Sequence, residues 1–191
     1  MSVSVLHDEV VLLDDLARPS GTALRATVHD RETPLHLAFS CHVVRPDGQV
    51  LLTRRALTKA SWPGVWTNSF CGHPRPGEDM ADAVRRRGRD ELGIEVEDLT
   101  LMLPDFRYRA VDAHGIVENE VCPVWFATTT STPVPAPDEV MDVQWASTQD
   151  VGRAVRAAPW AFSPWLVAQV DALAELDELD GVDEPPSGTR A

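Results

Sequence analysis

The stretch from Thr67 to Ile94 constrains this chain more than any other part of it. It opens as Thr67-Asn68-Ser69-Phe70-Cys71-Gly72-His73-Pro74, passes through Gly77-Glu78 and closes on Arg89-Asp90-Glu91-Leu92-Gly93-Ile94. Glycine and proline set the backbone of a loop. Behind it, from Glu78 to Leu92, the residues Met80, Ala83, Val84 and Leu92 form an imperfect helical stripe, with Gly93 in the position that ends a helix. A strand entering the loop would aim Cys71 and His73 to one face, because extended chain alternates with period two. A thiol and an imidazole ahead of an arginine-rich helix ending in carboxylates make a site suited to an anion and a metal. Taken alone, Cys-x-His describes a small buried thiol beside a surface imidazole better than it describes a site; the neighbours shift the balance.

A chain of 191 residues with 43% hydrophobic content can bury one ordinary core. Three cysteines at irregular positions (Cys41, Cys71 and Cys122) lack any C-x-x-C pair, which argues for reduced thiols in a cytoplasmic protein. The first residues carry acids where a signal peptide needs bases, and no apolar run approaches the roughly 18 residues of a membrane span. The formal net charge of -13 argues against nucleic acid or an anionic membrane as partner. A phosphate-bearing ligand would need a local concentration of cations or a metal. Of the 17 basic residues only Lys59 is a lysine, which suggests a place where a compact point charge serves better than an arginine fork; chance survival of one lysine explains it equally well.

Glu9 to Leu13 reads as a strand and Arg18-Pro19-Ser20-Gly21 as a turn. Leu35 to Val44, Arg45-Pro46-Asp47-Gly48 and Gln49 to Thr53 form a hairpin. Leu99 to Ala110 and Val121 to Thr129 read as two further strand-like runs around the turn Asp112-Ala113-His114-Gly115. Beyond a proline-rich loop from Thr132 to Asp138 come a strand near Val140 to Trp145, a short helix from about Thr148, and a longer one with Ser163 as N-cap and Pro164 at its first position. His29 and His36 are seven residues apart and can share a ligand only if the fold brings them together; each alone reads as a surface histidine. Glu118 and Glu120 would point one way in a strand, a costly pairing unless a cation neutralises them; an exposed edge is the plainer reading. Trp165 reads as core or as pocket wall. No linker divides the chain. Residues 1–176 are expected as one domain, and residues 177–191 as an acidic, disordered tail.

Thr67 to Pro74 with Glu78 and the arginine helix, Asp105-Phe106-Arg107-Tyr108-Arg109-Ala110, and Gly115-Ile116-Val117-Glu118-Asn119-Glu120-Val121-Cys122-Pro123 resemble the type I isopentenyl diphosphate isomerases. Leu35 to Ser40 and Trp160 to Trp165 extend the likeness, which runs from about residue 6 to 175. That family is a branch of the Nudix fold. The resemblance therefore implies an α/β (α+β) fold of Nudix type, a mixed sheet sandwiched between helices in a single compact domain. Gly72, Glu78, Arg86, Glu91, Gly93 and Ile94 sit where the Nudix box wants them. Arg87 stands where the hydrolases place a glutamate, and Asp90 replaces another. These departures deplete the metal-binding carboxylates and count against the alternative, a Nudix pyrophosphate hydrolase.

The resemblance implies interconversion of isopentenyl and dimethylallyl diphosphate by proton addition and removal. It assigns Cys71 and Glu120 as the acid–base pair, with Tyr108 hydrogen-bonded to Glu120 and Trp165 offering a π-face to a cationic intermediate. It gathers His29, His36, His73, Glu118 and Glu120 around one transition metal, Mn2+ or Zn2+, and gives Glu91 a Mg2+ ion on the substrate diphosphate. Arg25, Arg55, Lys59 and Arg87 match the diphosphate-binding positions, Arg25 standing where the family commonly has lysine. The implied partner is a small allylic or homoallylic diphosphate, and the protein is expected as a cytoplasmic monomer or weak homodimer.

Overall fold

The structure is a computed structural model and describes residues 8–180. In chain order the first strands are Glu9–Leu13 (β1), Pro19–Leu24 (β2), His36–Leu37 (β3), Phe39–Val44 (β4), Gln49–Arg55 (β5), Trp66–Thr67 (β6) and Phe70–Gly72 (β7). The helix Met80–Leu92 (α1) follows, then Glu97–Leu103 (β8), Arg107–Val111 (β9), Val117–Val121 (β10), Val124–Thr128 (β11) and Val140–Ser147 (β12). The helices Thr148–Ala157 (α2) and Pro164–Asp180 (α3) come last, joined through a 3-10 turn at Pro159–Ala161.

These strands make the expected mixed β architecture, divided between two sheets. One has the order β2-β1-β3-β10-β9; the other runs β12-β5-β4-β11-β8, with β6 paired to β5 and β7 to β4. Both are mixed, since β3 with β10 and β4 with β11 are parallel and their other neighbours antiparallel. The chain changes sheet at three corners: between β3 and β4, between β8 and β9, and between β10 and β11. Backbone bonds stitch these corners together, from Ala38 N to Val121 O, Ser40 N to Pro123 O and Cys122 N to Phe106 O. The expected runs Leu99 to Ala110 and Val121 to Thr129 are each interrupted here. Pro104 and Pro123 have no N–H to donate to a ladder, so the strand ends and its continuation pairs elsewhere.

The turn expected at Arg18 to Gly21 lies earlier. Asp14 accepts from the N–H of Leu16 and of Arg18, and Ala17 takes a φ of 59°, so the chain reverses over 14–18. Pro19 then opens β2, an edge strand in which its missing donor costs nothing. The hairpin between β4 and β5 is as expected: Gly48 N–H bonds Arg45 O, and Gly48 has φ 81°.

Period-two alternation divides the core between the helices. Phe39, Cys41, Val43 and Leu51 face one way and pack with Ala83, Val84 and Leu92 of α1. Val50 and Leu52 face the other way and pack with Val151 and Val155 of α2 and Leu166 of α3. Ser40 and His42 therefore look toward α3. Helix α1 starts two residues later than expected, because Asp79 is its N-cap and accepts from the N–H of Ala81 and Asp82. It ends on Gly93 in the left-handed region. Ser163 caps α3 through Leu166 N–H, with Pro164 at its first position. That helix runs through Asp180, past the boundary expected at residue 176; residues 181–191, the rest of the expected tail, lie outside the described residues. Among the described residues no helix is long and apolar enough to cross a membrane.

Candidate active site

Strand register builds one wall of a cavity of about 280 Å³. Glu120 of β10 stands opposite His36 of β3 on one side and Tyr108 of β9 on the other. Three side chains distant in sequence thus lie side by side. Glu118 shares the face of Glu120, two residues away. The opposite wall comes from β7, which pairs with β4 so that Cys71 lies opposite Ser40, and from the first turn of α3, which brings Trp165. All the expected site residues line this cavity except His36, whose ring is fully buried behind it.

At the deep end the donor atoms of His29, His36, His73 and Glu120 all lie within 4.8 Å of one another. Nε2 of His36 and Nε2 of His73 are 3.2 Å apart. Glu120 Oε1 is 3.2 Å from His73 Nε2, 3.4 Å from His36 Nε2 and 3.8 Å from His29 Nε2. Nδ1 of His36 is 2.9 Å from the carbonyl oxygen of Pro34, which can only accept, so that nitrogen carries the proton and Nε2 presents a lone pair inward. That lone pair faces His73 Nε2 and Glu120 Oε1, a convergence of donor atoms that a cation would complete. His29 Nε2 is buried without a hydrogen bond, although Glu118 Oε2 is 2.9 Å away. The spacings suit an ion with bonds of about 2.1 Å to nitrogen, and the mix of imidazole and carboxylate suits a borderline metal. Glu118 reaches the group only beside His29, its Oε1 accepting from Ser61 Oγ. Burial alone would push the His29 imidazole down, but Glu118 and Glu120 outweigh it and draw it up to about 9. Burial raises Glu120 too, yet the three imidazoles hold it well below the usual carboxylate range.

In the middle lie the groups suited to moving a proton. Burial pushes the Cys71 thiol up to about 12, so it is held as S–H. Its sulfur is 3.3 Å from Ser40 Oγ and 3.4 Å from Asn68 Oδ1. Tyr108 Oη donates to Glu120 Oε2 at 2.9 Å, and burial keeps the phenol protonated. The tryptophan is 2% exposed, donates from Nε1 to Asn68 Oδ1 at 3.0 Å, and is flanked by Tyr108 and Trp62 with ring centroids 5.6 and 5.5 Å away. It is core and pocket wall at once.

At the open end are Arg25, Arg55, Lys59 and Arg87. Arg55 donates to the carbonyl oxygens of Ser61 and Trp62, and its guanidinium lies 5.3 Å from the Trp165 ring centroid. Arg25 pairs with Asp8 at 2.7 Å. Lys59 Nζ is 2.5 Å from Glu139, while Arg87 bonds Glu91 and, at 3.3 Å, Glu139. Gly72 is required beside this end. A Cβ there would come within 2.7 Å of Arg87 Cγ and 2.9 Å of the Phe39 ring. Glu78 and Arg86, expected as part of the box, make a two-pronged ion pair outside the chemistry.

Five polar residues escaped the sequence reading of the site. Asn68 fixes both Cys71 and Trp165 through one oxygen, with its Nδ2 donating to Cys41 O and Phe70 O. Ser40 is held by Gln169 Nε2 at 2.8 Å, and Gln169 accepts from His42 Nε2 at 2.9 Å. Ser61 supports Glu118, and Glu139 joins two cations. Asn68 and Ser40 stood inside motifs already singled out, so polarity in a buried strand was the available signal. Glu139, at the end of a proline-rich loop, offered none.

Residues 34–166 match the model of the NUDIX domain. An isopentenyl-diphosphate Delta-isomerase of Kocuria rhizophila is 57% identical over 170 residues, covering 89% of this chain and 94% of the relative. One of Agromyces mediolanus is 60% identical over 164 residues, covering 86% and 80%, and one of Salmonella arizonae is 56% identical over 163 residues, covering 85% and 90%. Among solved structures, DR0079 from Deinococcus radiodurans superimposes with a TM-score of 0.66 at 18% identity, covering 86% of this chain and 98% of that one. The MutT protein from Methanosarcina mazei gives 0.59 at 14% identity, covering 77% and 98%. At such identities the likeness concerns the fold alone.

Proposed function

This chain belongs to the isopentenyl-diphosphate Delta-isomerases within the Nudix family, and from that premise we propose how its residues divide the isomerisation of isopentenyl to dimethylallyl diphosphate in isoprenoid biosynthesis. The reaction moves a carbon–carbon double bond by one position without redox. An unactivated alkene is a feeble base, so the site needs a proton donor on one face, an acceptor on the other and tolerance for a tertiary cation between them.

Cys71 and Glu120 are the acid–base pair. The thiol is held protonated and aimed by Ser40 and Asn68, which suits donation to the terminal carbon. Glu120, with Tyr108 bonded to its second oxygen, takes the proton from the allylic carbon, and the phenol relays it. Trp165 presents its ring to the cation, an interaction worth about 2 kcal/mol or more when desolvated. Arg25, Arg55, Lys59 and Arg87 bind the diphosphate. His29, His36, His73, Glu118 and Glu120 would hold the transition metal, manganese or zinc; when bound, it keeps Glu120 anionic and sets its proton affinity. Glu91, an oxygen donor on the cavity wall, would serve a magnesium ion that neutralises the diphosphate. The protein works in the cytoplasm as a monomer or weak homodimer.

The observation that carries this reading is one cavity in which Cys71, the Tyr108–Glu120 pair and Trp165 lie between a histidine cluster and a cation-lined mouth. Incubation with isopentenyl diphosphate and magnesium in deuterated water tests it. Deuterium in the dimethylallyl product is expected; phosphate or pyrophosphate release without isomer would favour the hydrolase alternative.

A further inference from the structure

Three of the four cations at the mouth already have a carboxylate partner within the chain, and one carboxylate serves two of them. Glu139 receives Lys59 Nζ on Oε2 at 2.5 Å and Arg87 Nη2 on Oε1 at 3.3 Å. Its backbone is fastened to the segments that carry those cations. Its carbonyl accepts from Ala56 N–H, three residues before Lys59, and Ala136 N–H, in the same loop, bonds the carbonyl of Glu91 on α1. The side chains of Lys59, Glu139 and Arg87 are 24%, 17% and 13% exposed, so their charges are only partly screened by water. Burial raises the Glu139 carboxyl, but Lys59 and Arg87 outweigh it and keep the group below its usual range, hence ionised.

With Glu91 also present, two cations and two carboxylates cancel in this corner. A neutral corner attracts a bare polyanion weakly: whatever Lys59 and Arg87 gain from it, Glu91 and Glu139 give back as repulsion. We propose that Glu139 is a positioning residue that holds Lys59 and Arg87 in register in the free protein and keeps this corner of the anion subsite neutral, so that the site favours a diphosphate as its complex with a divalent cation over the free anion. This rests on the reading of the mouth as the diphosphate subsite. It also accounts for an acidic group among residues whose other task is to meet an anion. Removing the charge while leaving the hydrogen-bonding shape, as in Glu139→Gln, turns the corner net positive.

The test is calorimetric titration of inorganic pyrophosphate into the parent protein, Glu139→Gln, Glu139→Asp and Glu95→Gln, each with and without magnesium. The parent is expected to bind pyrophosphate much more tightly with magnesium than without. In Glu139→Gln the magnesium-free affinity should rise roughly ten- to a hundredfold, the worth of one unit charge at this range, and the dependence on magnesium should shrink. Glu139→Asp keeps the charge and should stay near the parent without magnesium. Glu95 pairs with Arg89 on the exposed surface, and its substitution should change little. Unchanged or weaker magnesium-free binding in Glu139→Gln overturns the inference, as does an equal gain in Glu95→Gln, which would make the effect one of overall charge. Failure of even the parent to bind the magnesium complex would remove the diphosphate subsite itself, and this inference with it.

Discussion

The two ends of the cavity solve opposite electrostatic problems. At the deep end, three imidazoles converge on one buried carboxylate with their donor atoms within 4.8 Å of one another, a grouping that a cation would complete. At the mouth, Lys59 and Arg87 are already satisfied by Glu139 and Glu91, so the group is complete by itself and must be opened by a ligand. The difference follows from how each is built. Part of the deep end stands on strand register, with His36 and Glu120 on adjacent strands, while His29 and His73 come from the segments beside them; the mouth draws on a loop, on α1, on the end of β5 and on the residue before β12.

The largest effect should come from the group between the ends. Cys71→Ala should lower isomerisation by roughly a thousandfold or more, the scale of a positioned acid, while elemental analysis finds the transition metal still bound. Cys41→Ala, on the face turned toward α1, should be much milder. Parent-like turnover in Cys71→Ala would end the assignment of the thiol.

The deep end comes next. His73→Ala and His36→Ala should each lose metal and activity together, by at least the roughly 10–100-fold that outer-shell partners of metal ligands command. His114→Ala, whose side chain is 73% exposed, should change neither. Full metal content in the His73 and His36 variants would break the contrast, since the cluster would then be complete without them.

A smaller loss is expected at the mouth, with a different signature. Lys59→Ala should reduce kcat/KM roughly ten- to a hundredfold, the worth of a charge-assisted hydrogen bond, with metal content intact. Lys59→Arg should recover part of it, because the charge returns but a planar fork replaces a compact cation. No loss in Lys59→Ala would mean that the lone lysine is an accident of composition.

Ionic strength gives the mildest discrimination. The partly exposed mouth should feel screening, so KM should rise roughly a few-fold as salt goes from low to physiological levels and beyond. Metal content at the buried end should not move. Equal salt sensitivity at both ends would show that they differ less than their burial suggests.

Local chemistry was legible in the sequence wherever it acts over a few residues. The glycine that ends α1, the N-cap of α3, the Arg45–Gly48 hairpin and the single face shared by Glu118 and Glu120 follow from periodicity and from the residues that accept a particular φ. Where two pulls competed locally, the reading slipped: Asp14 captured the first turn, and Pro104 and Pro123 divided runs whose hydrophobicity looked continuous. The candidate site was recognised through its likeness to a family, and the likeness carried residues but no partners. Nothing in it singled out Asn68, Ser40, Gln169, Ser61 or Glu139.

What the sequence determined by itself is thus most of the longer elements, the core-facing stripes and many of the chemistry-bearing residues. Tertiary structure alone decided that there are two sheets, that His29 and His36, each unremarkable alone, meet His73 and Glu120, and that Lys59 finds Glu139, eighty positions away. The physical reason lies in what each level depends on. A cap or a stripe is set by neighbours along the chain, whereas a register between strands is set by burying many side chains at once, and no short stretch contains the partners that make one alignment better than the next.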